Sequence, residues 1–279
     1  MVPGKPMRYL RALKFSLKAI KHPLKTLLSF AILKPPWSVD LTSGITLTVR
    51  DLHDFMVQLI RASMQVHNNA FLFSTKMKTY YVKGAGSYET LLSTFVFEDW
   101  KWLPVKGKNV LDIGGYIGDT ALYFLARKAK LILVYEPFPY SYRIAMQNII
   151  DNGLQEEIKI VNAAVGGSET SMLIDPNYQN TNTSLAEPQE KGVEIKVLSL
   201  EYIANEHKTD DWVLKINCEG CEYGIFEKTS INTLRKFSHI QMHYHGNPSP
   251  LIDKLEHAGF KVRLGDFIYA RRKNKFSLK

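Results

Sequence analysis

Cysteine is scarce: the chain of 279 residues contains two, Cys218 and Cys221. Two cysteines cannot build a disulfide framework, so the fold must rest on a packed core, and such scarcity fits a reducing compartment. A lone C-x-x-C can be a redox pair or half of a zinc site. With no second pair, and no place at the first helix of a thioredoxin-like unit, two inert thiols are expected. Acidic residues are absent from the start of the chain: none precedes Asp40, whereas Lys5, Arg8, Arg11, Lys14, Lys18, Lys21, Lys25 and Lys34 all do. Setting those eight aside from the 36 Lys and Arg leaves 28 against 27 Asp and Glu, so the formal charge of +9 belongs to the first segment. That excludes a basic footprint over the whole body, and nucleic acid is not an expected partner. Long apolar runs are missing there too. The longest uncharged stretch, Thr26–Leu33, is far short of the ~20 residues that span a bilayer, and the same interruptions argue against a secretory leader.

What the first segment does contain is periodicity. Leu10, Leu13, Leu17, Ile20, Leu24 and Leu27 recur at helical spacing, with Arg8, Arg11, Lys14, Lys18, Lys21 and Lys25 on a neighbouring stripe. Pro23 is expected to kink or split this helix, and Pro35-Pro36 to stop it. A basic amphipathic helix over residues 1–36 fits an anionic membrane surface; its bland counterpart is an apolar stripe packed on the protein's own body.

Residues 37–108 read as a mixed lead-in. "GITLTVRD" and "KTYYVKG" alternate like strands, while "LHDFMVQLIRASMQV" and "YETLLSTFVFEDW" carry helical spacing. From residue 109 to 279 the pattern becomes regular. Strands are expected over Asn109–Ile113, Leu131–Glu136, Ile158–Asn162, Trp212–Asn217 and His239–Tyr244, separated by helices over Asp119–Arg127, Pro139–Asp151, Tyr223–Lys236 and Ser249–Ala258. Such alternation predicts a parallel sheet with helices on both faces. The polar "PNYQNTNTS" (Pro176–Ser184) is expected to be a mobile loop over the sheet. The chain closes with "GFKVRLGDFIYARR", two strand-like runs about Leu264-Gly265-Asp266. A parallel sheet ending in an antiparallel hairpin is the arrangement of class I methyltransferases rather than of dinucleotide dehydrogenases.

The turn after the first body strand, "DIGGYIGD", is G-G-x-x-G and not the G-x-G-x-x-G of a pyrophosphate site. Asp112 and Asp119 flank it, and carboxylates there repel a pyrophosphate but suit the ammonium and sulfonium of S-adenosylmethionine. Glu136, 24 residues after Asp112, stands where an acid receives ribose hydroxyls.

These segments resemble the FkbM-type methyltransferases: "VKGKNVLDIGGYIGDTALYF", "VYEPFPYSYRIAMQNIIDNGL", "IVNAAVGG", "TNTSL", "VLSLEYI" and "LKINCEGCEYGIFE" follow in order within residues 105–245. The resemblance implies a Rossmann-like seven-stranded sheet with an N-terminal helical extension, S-adenosylmethionine as donor, and O-methylation of a sugar, glycan or glycolipid hydroxyl. It places Asp112, Gly114, Gly115, Tyr116, Gly118, Asp119, Glu136, Pro137 and Asn217 at the donor, with Asn162 and Ala163 near its adenine. Lys215, Glu219 and Glu222 would line the pocket beyond the fourth strand. The family pattern K-x-D-x-E-G-x-E here has Asn217 for its aspartate, and the E-x-H after the fifth strand has Gln241 for its glutamate.

A hydroxyl nucleophile must lose a proton, which calls for a nearby base. "HIQMHYHGN" places His243 and His245 on one face of a strand at the carboxyl end of the sheet, where open α/β sheets bind ligands. Those two and Glu219 are the candidate catalytic groups. Glu219, Glu222, His243 and His245 could also hold a divalent ion, but their spacing across strands is unreadable from sequence and no metal is assigned. The expected molecule is thus a cytoplasmic methyltransferase, peripheral at the inner membrane face, with a small-molecule or glycan acceptor. The alternatives are an NAD-dependent oxidoreductase and a catalytically impaired nucleotide-binding protein of the same fold.

Overall fold

The computed structural model describes residues 20–42, 46–51, 54–55, 58, 66–67, 70–74, 79–84, 88–178 and 191–273. A first group holds α1 (Pro23–Ile32), β1 (Trp37–Asp40) and β2 (Thr46–Val49). Then come β3 (Val66–His67), β4 (Ala70–Ser74), β5 (Thr79–Lys83) and α2 (Tyr88–Leu91), which runs into a π-helical turn at Leu92–Val96. The body follows as β6 (Asn109–Ile113), α3 (Asp119–Ala126), β7 (Leu131–Tyr135), α4 (Pro139–Asp151), β8 (Ile158–Val161), β9 (Ala164–Gly166), β10 (Thr170–Ile174), β11 (Val193–Ser199), α5 (Leu200–Glu206), β12 (Val213–Ile216), α6 (Cys221–Lys228), α7 (Ile231–Leu234), β13 (His239–His243), α8 (Ser249–His257), β14 (Phe260–Leu264) and β15 (Phe267–Arg272).

Seven of these strands form the central sheet, in the order β14-β15-β13-β12-β6-β7-β8. The five from β13 to β8 are parallel, while β15 runs antiparallel to β13 and β14 antiparallel to β15. The Rossmann-like sheet with a terminal hairpin is therefore present. Its strands alternate between two cores, as the period of two demands. Val110, Ile132 and Val134 face one side with α3 and the lead-in. Leu111, Ile113, Leu133 and Tyr135 face the other, with α5, α6 and α8. The first core includes Phe71, Val82, Leu91, Phe95 and Trp100, so it runs across residue 109 without a break.

Asn148 of α4 and Asn152, which caps that helix, fasten β5 to the body. Asn148 accepts from the Lys83 N–H at 2.8 Å and donates to its carbonyl, and Asn152 does the same for Tyr81. Each amide side chain thus gives an edge residue the donor and acceptor that a neighbouring strand would have supplied.

Pro23 starts helix α1 after non-helical residues 20–22, which agrees with the split among the two expectations, and at a first turn its missing N–H costs nothing; the stripe before residue 20 lies outside the described residues. Several expectations need correction. The region expected as one helix, Tyr223–Lys236, is two, because Ser230 breaks the run and caps α7 by accepting the Thr233 N–H at 3.1 Å. A second sheet, in the order β10-β11-β9, was not anticipated at all; its strands mix exposed and buried positions without alternation. Of the helix expected in "LHDFMVQLIRASMQV" only Asp54, Phe55, Gln58 and Val66 are described, and most of the loop at Pro176–Ser184 lies outside the described residues.

Leu10, Leu13 and Leu17 also lie outside them, but α1 shows how the rest of the apolar stripe is used. Thr26 is its buried residue, and Phe30 packs on a small core of Ile20, Val39, Leu41, Val49 and Phe55. Leu24, Leu27, Leu28, Ile32 and Leu33 face outward, 49–77% exposed. Within the described residues, Leu24 and Leu27 therefore do not pack on the body. No described helix is long and apolar enough to cross a membrane.

Candidate active site

The sheet order reverses between β6 and β12, and a crevice at the carboxyl ends of such neighbours is where open α/β sheets take ligands. The ends of β6 and β12 meet closely. Gly114, with φ of +77°, lies so near the Asn217 carbonyl oxygen that a Cβ there would approach it to 1.9 Å. A Cβ on Gly115 would strike the Val134 side chain at 2.0 Å. Both glycines are thus demanded by the protein's own packing, not solely by a ligand's approach. Gly118, also left-handed, precedes α3.

On the β6–β7 side of the crevice the acids are enclosed. Asp112 is fully buried; its Oδ2 accepts from the Thr120 hydroxyl at 2.5 Å. The Lys215 ammonium lies 2.7 Å from Oδ1, an ion-pair distance although that oxygen is off a hydrogen-bonding angle. Lys215 also donates to the Gly114 carbonyl at 2.6 Å and stands over the Trp100 ring. Asp119 accepts from the Thr94 hydroxyl at 2.6 Å, and burial pushes its carboxyl up to about 6. The structure thus places both aspartates inside the scaffold, with Lys215 neutralising Asp112. Lys215 is itself buried beneath the pocket.

Glu136 follows β7 and accepts the Tyr116 N–H at 2.7 Å and the Phe138 N–H at 3.0 Å. Burial outweighs these bonds and raises its carboxyl to about 7. Asn162 donates to the carbonyls of Glu136 and Pro137, both at 2.9 Å, so it holds the Glu136-Pro137 turn; Ala163 beside it is buried. Tyr116, Glu136, Pro137 and Asn162 thus form one hydrogen-bonded corner next to the glycine turn. A buried carboxylate at a strand end with lone pairs to spare after two N–H bonds fits a ribose diol, which brings two donors.

On the other side, beyond β12 and β13, titratable side chains gather. His243 Nδ1 lies 3.2 Å from Asn217 Oδ1. The His243 and His245 rings stand edge to face at 4.5 Å. His245 Nδ1 is 3.1 Å from Glu222 Oε1, which also accepts the His245 backbone N–H at 2.8 Å. His245 Nε2 lies 3.0 Å from Glu219 Oε2, close enough to be an ion pair yet without an aligned hydrogen bond. Glu219 and then Glu222 push His245 up to about 9. Burial, and next the neighbouring His245, lowers His243. Burial works to raise Glu222, but hydrogen bonding from His245 prevails and holds it below its ordinary value. One ligand atom from each of Glu219, His243 and His245 falls within 4.8 Å of the others.

The cysteines are not the inert thiols expected: Cys218 and Cys221 are joined in a disulfide across the mouth of α6. Their four-residue loop contains Glu219, which is itself left-handed at φ 53°. Gln241 is buried and donates to the Asp99 carbonyl at 2.7 Å, a bond a carboxylate could not make. Its departure from the family glutamate thus serves the lead-in contact. The roles of Thr120, Thr94, Trp100 and Asp99 had no sequence signal, because each depends on a contact across the fold. A separate cavity of about 520 Å³, lined partly by Glu169, Ser199, Glu201 and Lys228, lies away from this crevice, and hydroxyl donors already engage both of its glutamates.

The Methyltransferase FkbM domain matches residues 112–262, more than half of the chain. The chain belongs to this family and is an S-adenosylmethionine-dependent methyltransferase; the dehydrogenase alternative is set aside. Among solved structures, it is similar to a ribosomal protein L11 methylase from Lactobacillus delbrueckii subsp. bulgaricus (16% identity, 69% of this chain and 83% of that one, TM-score 0.39). It is also similar to TrmK of M. capricolum in complex with S-adenosylhomocysteine (13% identity, 61% and 65%, TM-score 0.38). A third is a precorrin-6y C5,15-methyltransferase from Geobacter metallireducens GS-15 (10% identity, 62% and 85%, TM-score 0.37). Among curated proteins none matches.

Proposed function

We propose that the enzyme methylates a hydroxyl of a glycan or glycolipid, and that Glu219, His243 and His245 activate that hydroxyl. The observation carrying this reading is the cluster itself: two imidazoles and a carboxylate converge at the carboxyl ends of β12 and β13, across the crevice from Glu136. An amine acceptor could shed its proton to water, whereas a sugar hydroxyl needs help at the moment of attack.

The bound donor would rest on the turn at Gly114, Gly115, Tyr116 and Gly118, with its ribose on Glu136 and its adenine toward Asn162 and Ala163; it supplies a methyl group on a sulfonium. Asp112 and Asp119 act in this reading by fixing the turn from beneath, and Asn217 by orienting His243. An acceptor hydroxyl held at the cluster would give up its proton there as its oxygen takes the methyl group and the C–S bond breaks, its electron pair staying with the departing thioether. The chain's main contribution is alignment within a crevice shielded from water.

We further propose the division into an extension (1–36), a lead-in (37–108) and a donor-binding body (109–279), with the extension resting on an anionic membrane. The outward leucines of α1, alongside exposed Lys21, Lys25 and Lys34, match what such a surface binds. This arrangement suits a lipid-linked acceptor.

The test is transfer of a radiolabelled methyl group from the donor to total cell glycolipid, free glycan, RNA and protein fractions. Label recovered as an alkali-stable ether on sugar is the expected result. Label confined to RNA or protein would replace this acceptor class.

A further inference from the structure

We propose that Glu219, His243 and His245 form a binding site for a first-row divalent cation such as Zn²⁺, Mn²⁺ or Co²⁺. The inference deepens the function proposed above: only its catalytic role rests on the acceptor hydroxyl meeting this cluster.

The orientation of the two rings carries the argument. An amide oxygen and a carboxylate oxygen can only accept, so His243 donates from Nδ1 to Asn217, and His245 donates from Nδ1 to Glu222. An oxygen behind each imidazole holds a hydrogen on Nδ1 and leaves Nε2 as the ring nitrogen that can ligate, the arrangement seen behind metal-binding histidines. The two rings then stand 4.5 Å apart, edge to face, beside the Glu219 carboxylate.

His245 Nε2 supplies the second observation. It is buried, lies 3.0 Å from Glu219 Oε2 and has no aligned hydrogen bond. At that distance the nitrogen and the oxygen need a cation between them, which is a proton when no metal is bound. A metal ion would displace that proton, and the convergence of ligand atoms from three residues on one point is what favours it. The three ligand atoms lie within 4.8 Å of one another, and around one ion of this class neighbouring ligands stand about 3–3.5 Å apart, so modest side-chain rotation closes the set.

The surrounding chain holds the set in place. Glu219 has a left-handed backbone, uncommon for a residue with a side chain, and is pinned between the disulfide-linked Cys218 and Cys221. Two imidazoles and one carboxylate favour Mn²⁺ through Zn²⁺ over the all-oxygen coordination of Mg²⁺ or Ca²⁺. Three protein ligands also leave coordination positions open. An ion held there would lower the pKa of a bound hydroxyl, so that Glu219, His243 and His245 would assist its proton loss as ligands of the ion rather than by taking the proton themselves.

The test uses the full chain stripped with a chelator and titrated with Co²⁺, followed by visible absorption. The expected result is a band that saturates at a single ion per chain. Glu219→Gln and His243→Ala should each remove it, and Asn217→Ala should weaken binding by about 10–100-fold. Thermal unfolding and S-adenosylhomocysteine binding establish that each variant is folded. No saturable band in the folded wild type, or unchanged bands in both ligand variants, would overturn the proposal and leave a proton between His245 and Glu219. The labelled-methyl assay separates this inference from the one it deepens. An ion bound without transfer to any sugar removes the hydroxyl acceptor and keeps the site. Transfer to sugar that survives chelation, with no ion bound, removes the site and keeps the acceptor.

Discussion

The two sides of the crevice handle charge in opposite ways. On the β6–β7 side every acid is enclosed and bonded to the scaffold: Asp112 by Lys215 and Thr120, Asp119 by Thr94, Glu136 by two backbone N–H groups. On the β12–β13 side the ionisable groups Glu219, His243 and His245 are only half-buried, and they face one another. The first side presents backbone and a single acid to a ligand of fixed chemistry. The second presents side chains that can exchange protons or bind an ion. In the proposed reading, holding a donor draws on rigid, enclosed groups, whereas activating an acceptor draws on groups whose state can change.

The largest way to break this contrast is to expose the internal charge of the donor side. Lys215→Met leaves Asp112 buried without its cation, and should destabilise the fold by about 3–5 kcal/mol, measured by urea unfolding. An unchanged midpoint would mean Asp112 is held without its ion pair. On the other side, His243→Ala should leave unfolding nearly unchanged while methyl transfer to the proposed sugar acceptor falls by about 100-fold or more. S-adenosylhomocysteine affinity should hold within about twofold, since a residue outside the donor's contacts adds little to its binding.

Glu136 sharpens the comparison through pH. Burial holds its folded carboxyl at about 7, above its ordinary 4.5. Its ionisation therefore opposes folding progressively as pH rises from about 4.5, with the full penalty present above about 7. Ribose hydroxyls bond best to the ionised form, so donor affinity should rise with pH through about 7. Glu136→Gln should flatten that rise and lower affinity at pH 8 by roughly 10–100-fold, the loss expected for charge-assisted hydrogen bonds. A rise that persists in the variant would assign the titration to another group. Calorimetric titration with S-adenosylhomocysteine across this range decides it.

The smallest effect concerns stability at α1. Leu24→Glu with Leu28→Glu should change unfolding by no more than about 0.5 kcal/mol, because neither side chain is packed. Sedimentation with anionic vesicles should nonetheless drop, and equal sedimentation of variant and wild type would end the membrane proposal.

How much of this was legible in the sequence follows from where each contact lies. The central strands were readable because β6, β7 and β12 are short apolar runs bounded by turns, and the hairpin because Gly265-Asp266 separates two alternating segments. The second sheet was not, since β10 and β11 lack a regular alternation of buried and exposed residues. Of the site, the convergence of His243 and His245 follows from the two-residue period of a strand continuing past its end. The enclosure of Asp112 does not: it requires Lys215 to sit opposite in the β6–β12 register, which only the folded sheet supplies. The Cys218–Cys221 disulfide escaped because composition speaks to the whole chain, not to a local loop.

The clearance at residue 114 has a consequence for how such an enzyme can be altered. With the Asn217 carbonyl pressed against a bare α-carbon, the separation of the β6 and β12 ends is set by backbone alone. Any larger residue at that point would wedge the two strands apart. If the proposed placement of donor and acceptor on the two banks holds, altered specificity would come from beyond residue 217, where side chains can be exchanged without moving that separation.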